Sequence, residues 1–466
     1  MCCFWEYAMK SSAVLLCLSC CLLFEQSKAA AADTPPNVVL IISDDQAWTD
    51  YGFMGHDTIQ TPHLDRLASR SALFRRGYVP TALCRPSLAT LITGQYASVH
   101  GVTGNDPATP KDKKAMHELR GKLIGKIDNY ATLPTLLGLR GYASHQSGKW
   151  WEGSFQRAGF THGMTRGFPE PGGRHGDDGL RIGREGMEPV LNFINESVQR
   201  SQPFFVWYAP FLPHTPHNPP ARLLKKYSIP GRPKRLAGYY AMCEWFDETC
   251  GQLVDHLKKR KVSDNTLIVY VTDNGWIQRT PTTEVPDGWK PQFAPRSKQS
   301  ANEGGIRTPI MLCWPGRIAP SDRDDVVSSI DLFPTILSAA GVDAISEHPG
   351  INLMPALTQQ KAIDRDAIFG ESFAHDIIDL ENPQDTLLYR WMIRGRWKLL
   401  LTYDGIVSRY KAVHQHVPKE PQLFDVLADP HEENNLAVND PQRVAQMATR
   451  IAEWYPVDQR GVQTVP

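Results

Sequence analysis

The stretch Asn37-Val38-Val39-Leu40-Ile41-Ile42 is an unbroken run of mostly aliphatic residues, and it leads into Ser43-Asp44-Asp45-Gln46. Runs of this kind form strands that are buried on both faces of a parallel sheet. Two similar runs follow at residues 204–208 and 267–271, and a long amphipathic helix pattern extends from Tyr239 to Lys259. Strands that alternate with helices predict an α/β fold with a large, mixed but mostly parallel sheet flanked by helices.

The character of the sequence changes towards the C-terminus. Residues 390–403 alternate like two antiparallel strands around a turn at Arg394-Gly395, and a final helix is expected from about Pro441 to Trp454. We therefore predict a large N-terminal domain over residues 33–344. A smaller α+β domain that carries an antiparallel sheet is predicted over residues 345–466.

The N-terminus has the pattern of a secretory signal peptide. Lys10 precedes an apolar stretch from Ala13 to Phe24, and four alanines end at Ala32. We expect residues 1–32 to be removed, which predicts a secreted or periplasmic protein with no membrane attachment after cleavage. The apolar stretch is short for a membrane span, although an uncleaved anchor is the alternative.

Composition narrows the function classes. The chain of 466 residues has 50 basic and 50 acidic residues and a formal net charge of +0. Nucleic-acid-binding proteins usually carry a basic excess, so no nucleic-acid partner is expected. Of the nine cysteines, only Cys84, Cys243, Cys250 and Cys313 follow the expected signal peptide. These four form neither a disulfide framework nor a CxxC pair for zinc.

Polar residues follow the predicted buried strands. Asp44 and Asp45 follow the first strand, and Asp273 and Asn274 follow the run at 267–271. Ligands of open α/β sheets bind beyond the carboxyl ends of the strands. Adjacent carboxylates repel each other unless a cation lies between them, and hard oxygen ligands favour Ca²⁺ or Mg²⁺ over zinc. The alternatives are a helix N-cap for the first pair and an ordinary turn for the second.

Cys84 precedes a predicted helix. Pro86 suits a first helical turn, and Leu88, Leu91 and Ile92 have helical spacing. The free N–H groups at a helix start suit an anion or an activated nucleophile. A buried structural cysteine is the alternative.

Several motifs occur in a fixed order over most of the chain. They are Asp44-Asp45, Cys84-x-Pro86-Ser87-x(4)-Ile92-Thr93-Gly94, Gly148-Lys149-Trp150, Pro213-His214-x-Pro216, Thr272-Asp273-Asn274-Gly275, Lys298-x(4)-Glu303-Gly304-Gly305-Ile306-Arg307, and the ending Leu423-Phe424-Asp425 with Asp429-Pro430 and Glu432 to Ala437. This ordered set resembles the type I, formylglycine-dependent sulfatases of the alkaline phosphatase superfamily. The resemblance implies an alkaline phosphatase-like fold and an exported enzyme that hydrolyses sulfate esters, most simply of a small molecule or an oligosaccharide.

The resemblance also implies roles for individual residues. A formylglycine-generating enzyme would convert Cys84 to formylglycine, whose hydrated aldehyde attacks the ester sulfur and later releases sulfate. Lys149 and Lys298 would bind the sulfate, and His214 would lie near the leaving oxygen. The metal, Ca²⁺ or alternatively Mg²⁺, would be held by five residues: Asp44, Asp45, Cys84, Asp273 and Asn274.

Two positions depart from the family pattern. Leu88 stands where the family has Arg, and Trp151 stands where it has His. We hypothesise that Arg174 or His175, in the glycine-rich stretch 172–179, supplies a replacement contact; a flexible surface loop is the alternative. Two other functions remain open, namely a phosphoester or phosphonate hydrolase of the same superfamily and a non-catalytic binder of sulfated glycans.

Overall fold

The computed structural model describes residues 35–108, 112–342 and 348–457. The predicted signal peptide therefore lies outside the described residues, and so does the predicted domain boundary at 344/345. Among the residues described, no helix is both long and apolar enough to cross a membrane.

The strands are numbered in chain order. They are β1 (Asn37–Ser43), β2 (Ala72–Tyr78), β3 (Asp106–Pro107), β4 (Ala143–Gly148), β5 (His162–Gly163), β6 (Phe204–Ala209), β7 (Thr266–Thr272), β8 (Arg307–Cys313), β9 (Ser321–Arg323), β10 (Val327–Ser328), β11 (Ile368–Phe373), β12 (Asp376–Ile377), β13 (Leu387–Arg394), β14 (Trp397–Thr402) and β15 (Gln422–Asp425).

The α-helices are numbered in the same way. They are α1 (Pro62–Ala68), α2 (Cys84–Thr93), α3 (Ala97–His100), α4 (Lys113–Gly125), α5 (Leu133–Gly138), α6 (Glu188–Gln199), α7 (Ala221–Tyr227), α8 (Lys234–Lys259), α9 (Glu303–Ile306), α10 (Leu332–Ala339), α11 (Met354–Thr358), α12 (Lys411–His414) and α13 (Pro441–Trp454).

The large sheet has the strand order β10-β2-β8-β7-β1-β6-β4-β5, with β9 paired to β2. All its pairs are parallel except the two that β8 makes with β2 and β7. The side chains of β1 alternate between two apolar cores, because Val38 and Leu40 pack on one face and Val39 and Ile41 on the other. This burial on both faces explains the unbroken apolar run, and it confirms the predicted mixed, mostly parallel α/β sheet.

The central strands β7, β1, β6 and β4 are parallel neighbours, so their carboxyl ends meet at one edge of the sheet. Ser43 pairs with Thr272, and Gly148 pairs with Ala209. Gly148 has φ +89, and a Cβ there would lie 1.8 Å from the Ala209 carbonyl oxygen. Only glycine permits this approach, which brings the following lysine to the same edge as the two aspartates after β1.

The second sheet is antiparallel, with the order β11-β13-β14-β15, and α13 packs on it. It confirms the predicted C-terminal antiparallel sheet. The short strand β12 follows β11 in the chain but lies outside this sheet. It pairs in parallel with β3, so that Asp376 lies beside Asp106. This pairing brings a C-terminal segment against the N-terminal part of the chain.

A buried ionic cluster also joins the two sheets. The Nζ of Lys398, on β14, lies 3.2 Å from Glu303 Oε1 and 2.8 Å from Glu432 Oε1. The Glu303 carboxylate also accepts a hydrogen bond from Tyr78, on β2, at 3.0 Å. All three charged side chains are almost completely buried. Arg307 Nη1 also lies 3.5 Å from Glu303 Oε2, whereas Lys398 is the one cation that pairs with Glu432 among the described residues.

We predict that Lys398→Met lowers the free energy of unfolding by about 3 kcal/mol or more, because it leaves the buried Glu432 carboxylate without its cation and removes one of the two that pair with Glu303. Adding Glu432→Gln should recover part of the loss. Urea unfolding measures both effects, and Lys361→Met, at an exposed site, is the matched control. A Lys398→Met protein as stable as the control would contradict the prediction.

Candidate active site

Cys84 is the first residue of α2, after an extended Leu83, so the predicted helix is present and begins one residue earlier than expected. Its thiol is buried, and Lys298 Nζ lies 3.1 Å from its sulfur. Burial raises the pKa of the thiol to about 12, although Lys149 and Lys298 act in the opposite direction. The unmodified side chain is therefore a neutral thiol at physiological pH rather than a reactive thiolate.

Four acidic and amide side chains converge next to Cys84. Asp44 and Asp45 follow β1, and Asp273 and Asn274 follow β7. The backbone N–H of Asp45 donates to Asp273 Oδ1 at 3.1 Å, and Asn274 Nδ2 donates to Asp45 Oδ1 at 2.6 Å. Asp45 adopts a left-handed backbone conformation with φ 63, so no helix begins there and the N-cap alternative is wrong.

One oxygen of each of these four side chains lacks a hydrogen-bond partner. Among the described residues, Asp44 Oδ2, Asp45 Oδ2, Asp273 Oδ2 and Asn274 Oδ1 are buried and make no hydrogen bond. Burying a carboxylate oxygen without a partner costs free energy, and a hard cation is a partner well suited to such an oxygen. Ligand atoms of Asp44, Asp45, Cys84 and His214 also lie within 4.8 Å of one another. Asp44, Asp45 and Cys84 of the predicted ligands thus lie together, and hydrogen bonds join Asp273 and Asn274 to Asp45. The chemistry of this set fits Ca²⁺ or Mg²⁺.

Two buried lysines balance part of this negative charge. Lys149 Nζ lies 2.7 Å from Asp44 Oδ1, and Lys298 Nζ lies 2.5 Å from Asp45 Oδ1. Burial opposes the charge of Lys298, but the carboxylates, Asp45 above all, outweigh it and hold the lysine pKa well above its ordinary value. Both predicted lysines therefore lie in the site, and Lys298 stays protonated at any physiological pH.

His214 faces the same carboxylates, and His217 does not. His214 Nε2 lies 3.3 Å from Asp45 Oδ2, while Nδ1 lies 2.5 Å from the carbonyl oxygen of Thr215. Burial lowers the pKa of His214 to about 4, although Asp44 and Asp45 raise it. His217 packs instead against Tyr239 and Trp276. Of the two histidines in His214-Thr215-Pro216-His217, His214 is therefore the one that belongs to the site.

The two positions that depart from the family pattern, Leu88 and Trp151, are buried apolar side chains. Leu88 lies in the core of the large domain, and Trp151 is buried with its ring along the wall of the cavity that holds Cys84. The guanidinium of Arg174 lies 4.5 Å from the centre of the Trp151 ring, and the His175 ring lies 5.3 Å from it. Both candidates for a replacement contact line this cavity; their role stays a prediction.

The cavity has a volume of about 380 Å³, a size suited to a small ligand. Its lining includes residues that the sequence analysis missed: Asn105, Lys290, His375, Arg409 and Tyr410. Asn105 Nδ2 lies 3.3 Å from His375 Nε2, a contact created by the pairing of β3 with β12. No local pattern marks these residues, and His375, Arg409 and Tyr410 reach the cavity only because the C-terminal segment packs against it.

Comparison with solved structures agrees with this architecture. A sulfatase from Pseudoalteromonas sp. superposes with a TM-score of 0.68 at 20% identity, covering 93% of this chain and 94% of that one. The phosphonate monoester hydrolase of Agrobacterium radiobacter gives a TM-score of 0.63 at 19% identity, covering 90% and 95%. At these identities the likeness concerns the fold, which sulfatases share with other hydrolases.

Relatives by sequence are sulfatases. Human N-acetylgalactosamine-6-sulfatase is 29% identical over 360 residues, which is 70% of this chain and 66% of the relative. The match thus spans slightly less than two thirds of that relative. Bovine arylsulfatase A is 27% identical over 447 residues, covering 84% of this chain and 82% of the relative.

Family models match both parts of the chain. The model described as "N-sulphoglucosamine sulphohydrolase, C-terminal" matches residues 296–454. The model described as "Sulfatase" matches residues 36–342, which include the oxygen cluster, Cys84 and both lysines. Because that match covers more than half of the chain, the protein belongs to the sulfatase family, as the ordered motifs predicted.

Proposed function

We propose that the protein hydrolyses sulfate esters of carbohydrates, with a formylglycine made from Cys84 and with Ca²⁺ bound beside it. One observation carries the proposal. Four buried oxygens without hydrogen-bond partners, among the residues described, lie in the same site as Cys84, whose sulfur is 3.1 Å from Lys298 Nζ. Such a site combines a position for a nucleophile, a set of hard metal ligands and fixed positive charge for an anionic ester.

The state of Cys84 explains why a modification is needed. A neutral, buried thiol is a poor nucleophile, and sulfation of an ordinary Cys or Ser would leave an adduct with no internal route of release. A hydrated formylglycine supplies a hydroxyl nucleophile and can release sulfate by returning to the aldehyde. Lys298, in contact with the Cys84 sulfur, is placed to hold the modified side chain in position.

The metal ligands and the lysines divide the charge between them. Asp44, Asp45, Asp273 and Asn274 would hold Ca²⁺ through the oxygens that lack other partners. The bound ion would supply Lewis-acid polarisation of the sulfate. Lys149 and Lys298 would bind sulfate oxygens and stabilise the charge that develops on them. Their protonated state does not depend on the substrate, because the buried carboxylates already maintain it.

His214 is the candidate for contact with the leaving oxygen or the sulfate. Because burial lowers its pKa to about 4, the ring is neutral at physiological pH, and Nε2 would act as a general acid only after it takes up a proton. Its Nδ1 is engaged by the Thr215 carbonyl, which fixes the ring and leaves Nε2 on the side of the carboxylates and Cys84. General acids and bases act from such fixed positions within hydrogen-bond reach of the reacting group.

The substrate class rests on the relatives and on the cavity. N-acetylgalactosamine-6-sulfatase is named for a sulfated sugar, and a cavity of about 380 Å³ accommodates a sugar unit. We further propose that the protein is exported through the signal peptide 1–32 and that a formylglycine-generating enzyme modifies it.

We also propose that the mature chain consists of a catalytic domain, residues 33–344, and a C-terminal subdomain, residues 345–466.

We predict that peptide mass spectrometry of active protein finds formylglycine at position 84. Cys84→Ala should lower kcat for an aryl sulfate about 10³-fold or more, because it removes the nucleophile. Cys313→Ala, at a buried free cysteine outside the site, is the control and should keep full activity. An unmodified thiol together with tight binding of sulfated glycans would instead support a non-catalytic binder.

Removal of the metal should abolish turnover and lower the melting temperature, and added Ca²⁺ should restore both. A ligand at 100 times its Kd stabilises a protein by about 2.7 kcal/mol. Asp273→Asn keeps the shape of the side chain but removes a negative charge, so it should raise the Kd for Ca²⁺ at least about ten-fold. Calorimetric titration measures this, with Asp264→Asn, at an exposed position, as control. Equal Kd values for both variants would argue against the assigned ligands.

Matched aryl esters distinguish sulfate from phosphate chemistry. The oxygen cluster beside Cys84 suits a single hard cation, and the two lysines suit the singly charged sulfate ester. The second group of possible metal ligands in the described residues, Asp106 with His375 and Asp376, is paired with arginines instead. We expect kcat/KM for 4-nitrophenyl sulfate to exceed that for 4-nitrophenyl phosphate at least about 100-fold, which is about 2.7 kcal/mol of transition-state discrimination. The opposite preference would favour the phosphoester hydrolase alternative.

A further inference from the structure

A second group of charged side chains lies around the cavity, away from the oxygen cluster. Arg174 and Arg409 line the cavity, whereas their carboxylate partners Asp106 and Asp376 do not. Both aspartates are buried, and both arginines are partly exposed. The arginines therefore present positive charge to the cavity, and the carboxylates hold them from behind.

The group carries a surplus of positive charge. Arg120 also pairs with Asp106, at 3.0 Å, so that three guanidinium groups share two carboxylates. Lys290 lines the same cavity and is exposed, which adds another positive charge. An acidic ligand would therefore find surplus cations here, in addition to Lys149 and Lys298, which pair with the carboxylates of the oxygen cluster.

Arg174 is held in one orientation with donors to spare. Its Nε donates to both oxygens of Asp106, at 3.0 and 3.1 Å, and its Nη2 also contacts that carboxylate. Its guanidinium lies over the Trp151 ring, which is itself buried. Within the described residues, Arg174 Nη1 makes no hydrogen bond, so a donor fixed by the Asp106 pair and the Trp151 ring remains available.

Arg409 is held from the C-terminal side. Its Nη1 lies 3.5 Å from Asp376 Oδ1 and 3.8 Å from Asp106 Oδ2, and its guanidinium lies 5.4 Å from the centre of the Tyr410 ring. Tyr410 adopts the left-handed conformation with φ 57, which is unfavourable for an aromatic residue and points to a constraint at this wall. In the part of the chain that the structure describes, Arg409 Nε and Nη2 form no hydrogen bond.

We propose that Arg174 and Arg409 form a second anion subsite, which binds a carboxylate or an additional sulfate elsewhere on the substrate. The proposal rests on the proposed function, because it assigns the substrate class as an acidic sulfated glycan rather than a neutral sugar monosulfate. Guanidinium groups bind both kinds of oxyanion through paired, charge-assisted hydrogen bonds. Pre-oriented donors lose little side-chain entropy on binding, which favours affinity.

The test compares disaccharides that differ only in a distal acidic group. The wild-type protein and the Arg409→Gln variant are assayed on a neutral monosulfated disaccharide, its uronate-containing counterpart and its disulfated counterpart. We expect Arg409→Gln to lower kcat/KM about ten-fold or more on at least one acidic substrate, mainly through KM, and to change the neutral substrate less than about two-fold. The two acidic substrates distinguish a carboxylate from a second sulfate.

Arg396→Gln is the matched control. Arg396 is 49% exposed against 48% for Arg409, and it also pairs with an aspartate, Asp425, but it lies outside the cavity. Its replacement should leave all three substrates unaffected. Equal losses on neutral and acidic substrates with Arg409→Gln, or no loss on any of them, would overturn the proposal.

Binding without turnover separates this proposal from the proposed function. In Cys84→Ala protein, calorimetry measures the Kd of each disaccharide, and adding Arg409→Gln should weaken only the acidic ones, about ten-fold. Weaker binding of the acidic disaccharides alone supports the subsite, whether or not the wild-type protein hydrolyses sulfate esters. A wild-type protein that hydrolyses no sulfate ester would refute the proposed hydrolase function. Hydrolysis of sulfate esters with no such selectivity keeps the hydrolase and refutes the subsite.

Discussion

The repulsion among three buried carboxylates is the constraint on which this site depends. Asp44, Asp45 and Asp273 lie at one edge of the large sheet, where water contributes almost nothing to their solvation. Lys149 and Lys298 compensate two of these charges directly. Four neighbouring oxygens, among the described residues, still lack hydrogen-bond partners. Burial and this imbalance raise the pKa of Asp44 to about 7, and a divalent cation, where one binds, would relieve the imbalance.

This constraint explains why the site needs the whole large sheet. The carboxylates come from the ends of β1 and β7, Lys149 comes from the end of β4, and Lys298 precedes α9. Parallel pairing in register brings the three strand ends to one edge. Gly275 packs closely on Gly304: a Cβ on Gly275 would lie 2.1 Å from the carbonyl oxygen of Gly304. That contact fixes the Thr-Asp-Asn-Gly segment against the segment that follows Lys298.

Sequence patterns predicted the parts of the site that follow buried strands, because the strand period and the polar residues at strand ends are local features. Asp44, Asp273 and the start of α2 at Cys84 are examples. The roles of Lys149 and His214 came from the family resemblance, since nothing local distinguishes either from an ordinary polar residue. His375 and Arg409 were missed because their position depends on the pairing of β12 with β3, which involves two residues on each side. So short a pairing leaves no periodicity to detect.

The departures at Leu88 and Trp151 are best understood together with the charged wall of the cavity. Leu88 packs in the core and Trp151 is buried, so the polar groups that the family pattern places there are replaced by apolar surface. Arg85 nevertheless lies near Trp151, with its guanidinium 5.9 Å from the centre of the ring. Its Nη2 pairs with Glu152 Oε2 at 2.6 Å. Arg174 lies over the same ring, at 4.5 Å. Both guanidinium groups near Trp151 thus pair with carboxylates, Arg85 with Glu152 and Arg174 with Asp106. Under the proposals above, Arg174 and the C-terminal Arg409 would act in substrate choice, while the oxygen cluster at the sheet edge would serve the chemistry.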